Sequence, residues 1–161
     1  MQKVQRKRSI KLIAALVAMS GTLLATAFVD LAEANPTTHE TLTAISGQGS
    51  GEVSVSPTAK NEGTNLFDGQ VTINIHGTAP GTVFTVSRNP DFNADGICTG
   101  SSFVPFAPAL TTSAGGAGAV HYEVLRGLPN FPEGVTFDVS FRAVGTDGTV
   151  LTSECFTVTG K

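Results

Sequence analysis

The strongest chemical pattern in this sequence lies in the segment NPDFNADGICTG, residues 89–100. Its acidic and amide side chains follow the D-x-N-x-D-G spacing with which calcium-binding loops begin. Calcium is a hard cation that takes about six to eight oxygen ligands, and such a loop supplies most of them from one short stretch of chain. The segment therefore predicts a candidate structural calcium site. Its ligands, in order of loop position, would be Asp91, Asn93, Asp95, the backbone oxygen of Ile97, and Thr99.

This calcium pattern lacks one of its ligands. The twelfth position, where calcium loops place a glutamate that binds through both oxygens, is Ser102. A disulfide between Cys98 and Cys155 would bring Glu154 close to the loop, and its carboxylate is the predicted replacement. The same segment has a second interpretation, because Asn-Pro and Asp-Gly pairs are common turn formers. The sequence leaves both open: a calcium loop completed by Glu154, or a tight turn between two strands.

The two cysteines of the chain are Cys98 and Cys155. An even number of cysteines in an exported protein indicates a disulfide, whereas cytosolic proteins keep their thiols reduced. The bridge would close a loop of 57 residues, which the chain-entropy model values at about 4 kcal/mol of stability. Two cysteines so far apart form neither a C-x-x-C redox motif nor a zinc-binding cluster.

The first 34 residues have the features of a signal peptide. Lysines and arginines precede an apolar stretch, residues 12–29, and Ala32-Glu33-Ala34 supplies the small-x-small pattern that signal peptidase reads. Cleavage after Ala34 would leave residues 35–161 with five basic and eleven acidic residues, a formal net charge of −6. That charge disfavours nucleic acid and anionic membrane surfaces. We therefore expect a secreted, extracellular protein, not held in a membrane after cleavage, whose partner is an unknown protein or envelope component.

Short segments of alternating apolar and polar residues run through the rest of the chain. The clearest is residues 135–143, where Val135, Phe137, Val139, Phe141 and Ala143 alternate with Thr136, Asp138, Ser140 and Arg142. This period-two alternation indicates strands with one buried and one exposed side. In the final segment, TVLTSECFTVTG, the alternation changes phase near Ser153 and Glu154, which indicates a bulge or burial of both sides. Residues 35–50 lack sustained alternation and are predicted to be a flexible lead-in. Residues 51–161 are predicted to form an antiparallel, immunoglobulin-like β-sandwich of about seven to eight strands, with a β-barrel as the alternative.

The segment VTINIHGTAPGTVFTV, residues 71–86, resembles the hairpin of fibronectin type III and other immunoglobulin-like domains. Pro80 and Gly81 would form its type II turn, with a positive φ at the glycine. Those domains commonly carry tyrosine where this chain has Phe84, so their tyrosine-corner hydrogen bond cannot form here. Residues 51–159 also resemble a group of uncharacterised bacterial secreted single-domain proteins. That likeness rests on the hairpin, a D-G-x-C loop and a T-S-x-C-F-T-V strand, and it implies no particular activity.

Patterns of known catalytic sites do not occur in the sequence. There is no G-x-S-x-G nucleophile elbow, and His39, His76 and His121 are far apart in the chain, as expected of solvated side chains on exposed strand faces. The sequence therefore predicts a non-catalytic binding or cell-envelope module whose sole candidate cofactor is calcium. Two alternatives stay open. A hydrolase would need a deep acidic pocket, and a small-ligand carrier would need an apolar cleft lined by several phenylalanines.

Overall fold

The computed structural model describes residues 37–58, 66–127 and 134–160, which form an antiparallel all-β fold. The predicted signal peptide, residues 1–34, lies outside these residues. Within the described ranges there is no helix, and so none long and apolar enough to cross a membrane. The strands are β1 (Thr38–Ser46), β2 (Ser50–Pro57), β3 (Leu66–His76), β4 (Val83–Asp91), β5 (Val104–Pro105), β6 (Leu110–Thr111), β7 (Gly118–Gly127), β8 (Thr136–Gly145), β9 (Val150–Thr152) and β10 (Phe156–Thr159).

These ten strands form one sheet that curls into a half-barrel. The path through the sheet runs β5-β4-β8-β9-β1-β2-β3-β7, with β10 also beside β8 and β6 beside β4. Strand β9 connects two groups of strands, because it pairs with β8 on one side and with β1 on the other. One group contains β4, β8 and β10, and the other contains β1, β2, β3 and β7.

The hydrophobic core lies on the inner side of the curl, where the apolar residues of each alternating strand point. Phe67 of β3 meets Phe137 of β8 edge to face, with 5.1 Å between ring centroids. Phe106 stacks on Tyr122 of β7 at 4.5 Å. The Tyr122 hydroxyl donates a hydrogen bond to the Pro108 carbonyl oxygen at 2.8 Å, and burial raises the pKa of this phenol. Aromatic contacts thus join the two groups of strands across the core.

The predicted flexible lead-in is wrong over most of its length. Residues 38–46 form β1, which pairs with β2 along one edge and with β9 along the other. Leu42 is fully buried, and Ala44 packs against the core. Threonines alternate with these two residues, and β-branched side chains suit a strand. The prediction missed the strand because Leu42 is the one large apolar residue on its inner side.

The hairpin expected at residues 71–86 is not a hairpin. Strand β3 pairs with β2 and β7, whereas β4 pairs with β8, β5 and β6, so the chain crosses from one group of strands to the other at this turn. The positive φ of Gly81 is confirmed at 71°. A local turn signal does not specify which strands pair on either side of it.

The phase change predicted near Ser153 and Glu154 is confirmed. Strand β9 ends at Thr152 and β10 begins at Phe156. Across the interruption, the backbone N–H of Ser153 donates to the Phe141 carbonyl oxygen at 3.0 Å, and the Phe141 N–H donates to Ser153 Oγ at 2.9 Å. These bonds hold the bulge against β8, so that Leu151, Phe156 and Val158 all reach the core.

Candidate functional site

The predicted disulfide between Cys98 and Cys155 is present, with the two Cα atoms 5.5 Å apart. It ties the segment that follows β4 to the chain between β9 and β10. We call residues 92–103 the stapled loop. Three of its contacts reach the outward side of β4 and β8: Gly100 accepts from Asn89, Gly96 donates to Asp138, and the Phe103 ring lies 4.0 Å from the Arg142 guanidinium carbon. The disulfide therefore holds the loop across this side of the sheet.

Asp91, the first residue of the predicted calcium set, uses its carboxylate to organise the stapled loop. Its Oδ1 accepts from the Asn93 N–H at 3.0 Å, and its Oδ2 accepts from the Thr99 N–H at 2.9 Å and from Thr99 Oγ1 at 2.7 Å. The Asn93 amide, followed by the Thr99 hydroxyl and amide, lowers the pKa of Asp91. Three donors thus point at the oxygens that a cation would need.

Asp95, Asn93 and Ile97, which are also predicted calcium ligands, hydrogen-bond to one another within the loop. Asp95 Oδ2 accepts from Asn93 Nδ2 at 2.6 Å, and Asp95 Oδ1 accepts from the Ile97 N–H at 3.0 Å. Both are hydrogen bonds between residues two apart, as in turns built on aspartate. Glu154 is exposed, and within the described residues no three side chains of the His, Cys, Asp and Glu types group in a way that could hold a metal ion. This geometry supports the turn interpretation, and calcium binding stays a prediction.

Sequence reasoning missed Asp138, which lies opposite Asp91 in the β4–β8 register. The alternation of β8 indicated a solvent-facing side chain, yet Asp138 is 0% exposed. Its Oδ2 accepts from the Gly96 N–H at 2.6 Å, and its Oδ1 accepts from Thr157 Oγ1 at 2.6 Å. The stapled loop and β10 thus supply the partners that a buried carboxylate requires. The predicted disulfide was a signal for the burial of Asp138, because a bridge from Cys98 to Cys155 brings a loop over β8.

On β4 and β8, four outward polar side chains are buried. We call them the covered face: Ser87, Asn89, Asp138 and Ser140. Above them, the stapled loop turns two large apolar side chains to solvent: Phe92 is 56% exposed and Ile97 is 61% exposed. The loop therefore covers polar groups and exposes apolar ones, the reverse of the usual arrangement.

The outward side of β1, β2, β3 and β7 has no such cover. We call it the open face, and none of its described side chains is buried: His39, Thr41, Thr43, Ser50, Glu52, Ser54, Ser56, Asp68, Gln70, Thr72, Asn74, His76, Ala119, His121 and Glu123. All but Ala119 are polar. The strand register aligns these residues in rows across the strands, and one row runs His39, Ser54, Thr72, His121. Strands lie about 4.8 Å apart, so the face is a polar surface roughly 14 Å across.

The three histidines of the chain all lie on the open face, and each sits directly opposite a hydroxyl residue of the neighbouring strand. His39 Nδ1 and Ser54 Oγ are 2.9 Å apart, Ser50 Oγ and His76 Nε2 are 2.9 Å apart, and Thr72 Oγ1 and His121 Nδ1 are 3.0 Å apart. The expectation that these histidines lie on exposed strand faces is confirmed. Their pairing with hydroxyl groups depends on strand register and was not predicted.

His39 also contacts Glu52, and together with Ser54 these residues have the composition of a serine–histidine–acid triad. Glu52 Oε1 lies 3.0 Å from His39 Nδ1, the same nitrogen that Ser54 Oγ approaches at 2.9 Å. A catalytic triad requires the serine and the acid on opposite nitrogens of the ring, so that the imidazole can take the serine proton while the acid orients it. The trio therefore cannot act as a relay, and it forms part of the exposed polar network.

An apolar cavity lies at the margin of the core. Its lining includes Phe67, Phe92, Phe137, Phe141 and one cationic side chain, Arg88. Its volume is about 40 Å³, whereas pockets for small molecules occupy roughly 300–1,000 Å³. The cavity has the phenylalanine lining expected of a small-ligand carrier but room for only a few atoms.

Comparison with known proteins finds no match for this chain among family models, curated proteins or solved structures.

Proposed function

We propose that this chain is an exported, non-catalytic binding module that holds a hydroxyl-rich polymer of the cell envelope on its open face. The observation that carries the proposal is the open face itself, four strands of short polar side chains aligned in register. Hydroxyl, amide, imidazole and carboxylate groups all hydrogen-bond to sugar-like hydroxyls. The polar rows lie outside the core, so they are available to a ligand without a change in the fold.

The shape of the open face favours a polymer over a single small ligand. A depression of about 110 Å³ beside His39, Glu40, Thr41 and Glu52 is smaller than a pocket for a small molecule, and the described side chains of the face include no Phe, Tyr or Trp ring on which a sugar could stack, so each contact with one unit is weak. A polymer that reaches several rows at once gains affinity from many such contacts, because each later contact is intramolecular. Neutral or weakly charged polymers also suit the three carboxylates of the face, Glu52, Asp68 and Glu123.

The proposed fold is an immunoglobulin-like β-sandwich in a secreted bacterial protein. Strand β9 would be the connection between two packed layers, one of β4, β8 and β10 and one of β1, β2, β3 and β7. The Phe67–Phe137 contact across the core is consistent with two layers, and the disulfide is consistent with an oxidising, extracellular environment. Of the alternatives, the carrier is disfavoured by the size of the apolar cavity, and the hydrolase by the shared nitrogen of His39.

The proposal is tested with the purified protein and neutral polysaccharides, dextran in native affinity gels and cellulose in pull-down assays. The double variant Ser54→Ala/Thr72→Val removes two hydroxyls from the central row. We expect it to bind roughly tenfold more weakly, since each lost hydrogen bond contributes about 0.5–1.5 kcal/mol. The matched control is Thr85→Val/Thr111→Val, which removes two exposed hydroxyls from β4 and β6 and should bind as wild type.

Two results would contradict this function. One is that neither polymer retains the wild-type protein. The other is that the control pair weakens binding as much as the open-face pair. Melting temperatures of all the variants should agree within a few degrees, because surface substitutions of this kind change stability by about 0.5 kcal/mol or less.

A further inference from the structure

Strand β7 forms an edge of the sheet that lacks a second strand neighbour. It is ten residues long and ends the strand order, where it pairs with β3 alone. Among the described strands longer than four residues, β7 is the one with a single strand neighbour. Within the described residues, no backbone group of β7 bonds to a segment other than β3. The outer edge of β7 therefore offers a row of N–H and C=O groups to another strand.

The opposite end of the strand order is protected as natural sheet edges usually are. There β5 and β6 are only two residues long. Pro105 lies in β5, and Pro108 lies between the two strands. Short strands and prolines both block edge-to-edge pairing, and β7 has neither proline nor lysine. The chain at Phe106 and Pro108 contacts Tyr122 through its ring and its hydroxyl, which leaves the backbone edge of β7 open.

The sequence of β7 is complementary to itself in an antiparallel pair. If Tyr122 lies opposite Tyr122 of a second copy, His121 lies opposite Glu123 of that copy, and the symmetry repeats the contact. Both residues are exposed on the open face. On the inner side the same register places Val120 opposite Val124, a β-branched pair. A shift of two residues would place His121 opposite His121 or Glu123 opposite Glu123, so the side chains select the register centred on Tyr122.

His121 can make the cross-strand contact as a neutral side chain. Its Nδ1 lies 3.0 Å from Thr72 Oγ1. When Nδ1 accepts from this hydroxyl, the ring proton is on Nε2, which then donates to a carboxylate. Glu123 of the second copy supplies that carboxylate, and the pair therefore needs no change of protonation at neutral pH.

We propose that two copies of this chain form a symmetric dimer in which their β7 strands pair antiparallel. The twofold axis is perpendicular to the sheet, so both open faces lie on the same side of one eight-stranded surface. At about 4.8 Å per strand, this surface is roughly 34 Å across. The inference goes beyond the proposed function and does not depend on it. Its consequence for that function is avidity, because a polymer would reach the rows of both copies.

The test is sedimentation equilibrium of the purified protein at pH 7, without polysaccharide, from roughly 1 μM to 1 mM. An interface made by one strand is small, so we expect a reversible dimer with a Kd inside this range. His121→Glu creates two like-charged pairs and should raise the Kd roughly tenfold or more. The exchange variant His121→Glu/Glu123→His restores both pairs and should associate as wild type does. The matched control is His76→Glu, which makes the same change of charge on the inner strand β3.

Hydrogen exchange gives a second measurement. The amides of residues 119–124 should become more protected as the concentration of wild type rises, and those of His121→Glu should not.

Three results would overturn the inference. One is a monomer at every concentration, which includes the case in which the β7 edge binds only a strand of another protein. The second is a dimer that His121→Glu leaves unchanged or that His76→Glu weakens equally. The third is a failure of the exchange variant to restore association, because another surface would then hold the copies together. None of these measurements contains polysaccharide, so such a failure leaves dextran binding as a separate test of the proposed function.

Discussion

The open face and the covered face carry similar outward polar residues, yet the fold uses them in opposite ways. On the open face the polar side chains remain accessible and bond to one another across strands, as Thr72 does with His121. On the covered face Asp138 and Asn89 are buried and bond to the backbone of the stapled loop. The residue types of the two sides do not explain this difference. A disulfide explains it, because it holds a loop over one side alone.

Polar groups on the covered face stabilise the fold, whereas polar groups on the open face remain accessible to a ligand. A buried polar group must have its partner inside the protein, and its removal leaves that partner unsatisfied. An exposed polar group exchanges one partner for water at little cost. We therefore expect substitutions on the covered face to change stability, and substitutions on the open face to change binding.

Removal of the disulfide should have the largest effect. Cys98→Ser/Cys155→Ser releases a 57-residue loop, and the chain-entropy model predicts a loss of about 4 kcal/mol in the free energy of unfolding. Chemical denaturation of wild type and variant, with and without reductant, measures this loss. Reductant should affect wild type alone, since the variant has no cysteine left. A loss below about 1 kcal/mol would show that the loop stays in place without its staple.

Asp138→Ala should have the second largest effect, a loss of about 3 kcal/mol in the free energy of unfolding. It removes the acceptor of two part-buried hydrogen bonds, from the Gly96 N–H and the Thr157 hydroxyl, and a hydrogen bond to a carboxylate contributes about 1.5–3 kcal/mol. The matched control is Glu123→Ala on the open face, an exposed acid whose loss should change stability by about 0.5 kcal/mol or less. Urea denaturation at pH 7 compares the two, and equal losses would remove the distinction between the faces.

Acid should destabilise the turns that aspartates organise. Hydrogen bonds from Asn93 and Thr99 lower the pKa of Asp91, and the pKa of Asp147 is lowered chiefly by the Thr149 N–H. A lowered folded-state pKa means that the unfolded chain takes up the proton first as the pH falls past the ordinary value of 3.8. The stability that these carboxylates contribute is thus present above that pH and is lost as the pH drops through the folded-state pKa values.

The variants Asp91→Asn and Asp147→Asn test this dependence. Each should be less stable than wild type at pH 7, and the difference should shrink as the pH falls below about 3.8. Melting temperatures measured from pH 7 to pH 2.5 give the comparison, with Glu123→Gln on the open face as the control. A difference that stays constant over the whole range would mean that the charge of the carboxylate contributes nothing.

The sequence predicted what depends on neighbours in the chain. Alternation around Phe137 and Val139 located β8, and the phase change near Ser153 located the interruption between β9 and β10. It could not predict what depends on contacts between distant segments. The rows of the open face require the register of four strands, and the burial of Asp138 requires a loop fixed by a cysteine 57 residues away. The same limitation explains why the turn at Gly81 was recognised but its strands were paired wrongly.

Calcium should have the smallest effect, because the stapled loop already satisfies the carboxylates of its candidate site. Asp91 and Asp95 accept hydrogen bonds from Asn93, Ile97 and Thr99 in the pattern of turns. Millimolar calcium would have to displace those donors, so we expect the melting temperature to change by less than about 1 °C between calcium and EDTA. Asp95→Ala should be less stable than wild type by the same amount in both buffers. A rise of several degrees in calcium that Asp95→Ala abolishes would restore the calcium-loop interpretation, and the stapled loop would then be a binding site in its own right.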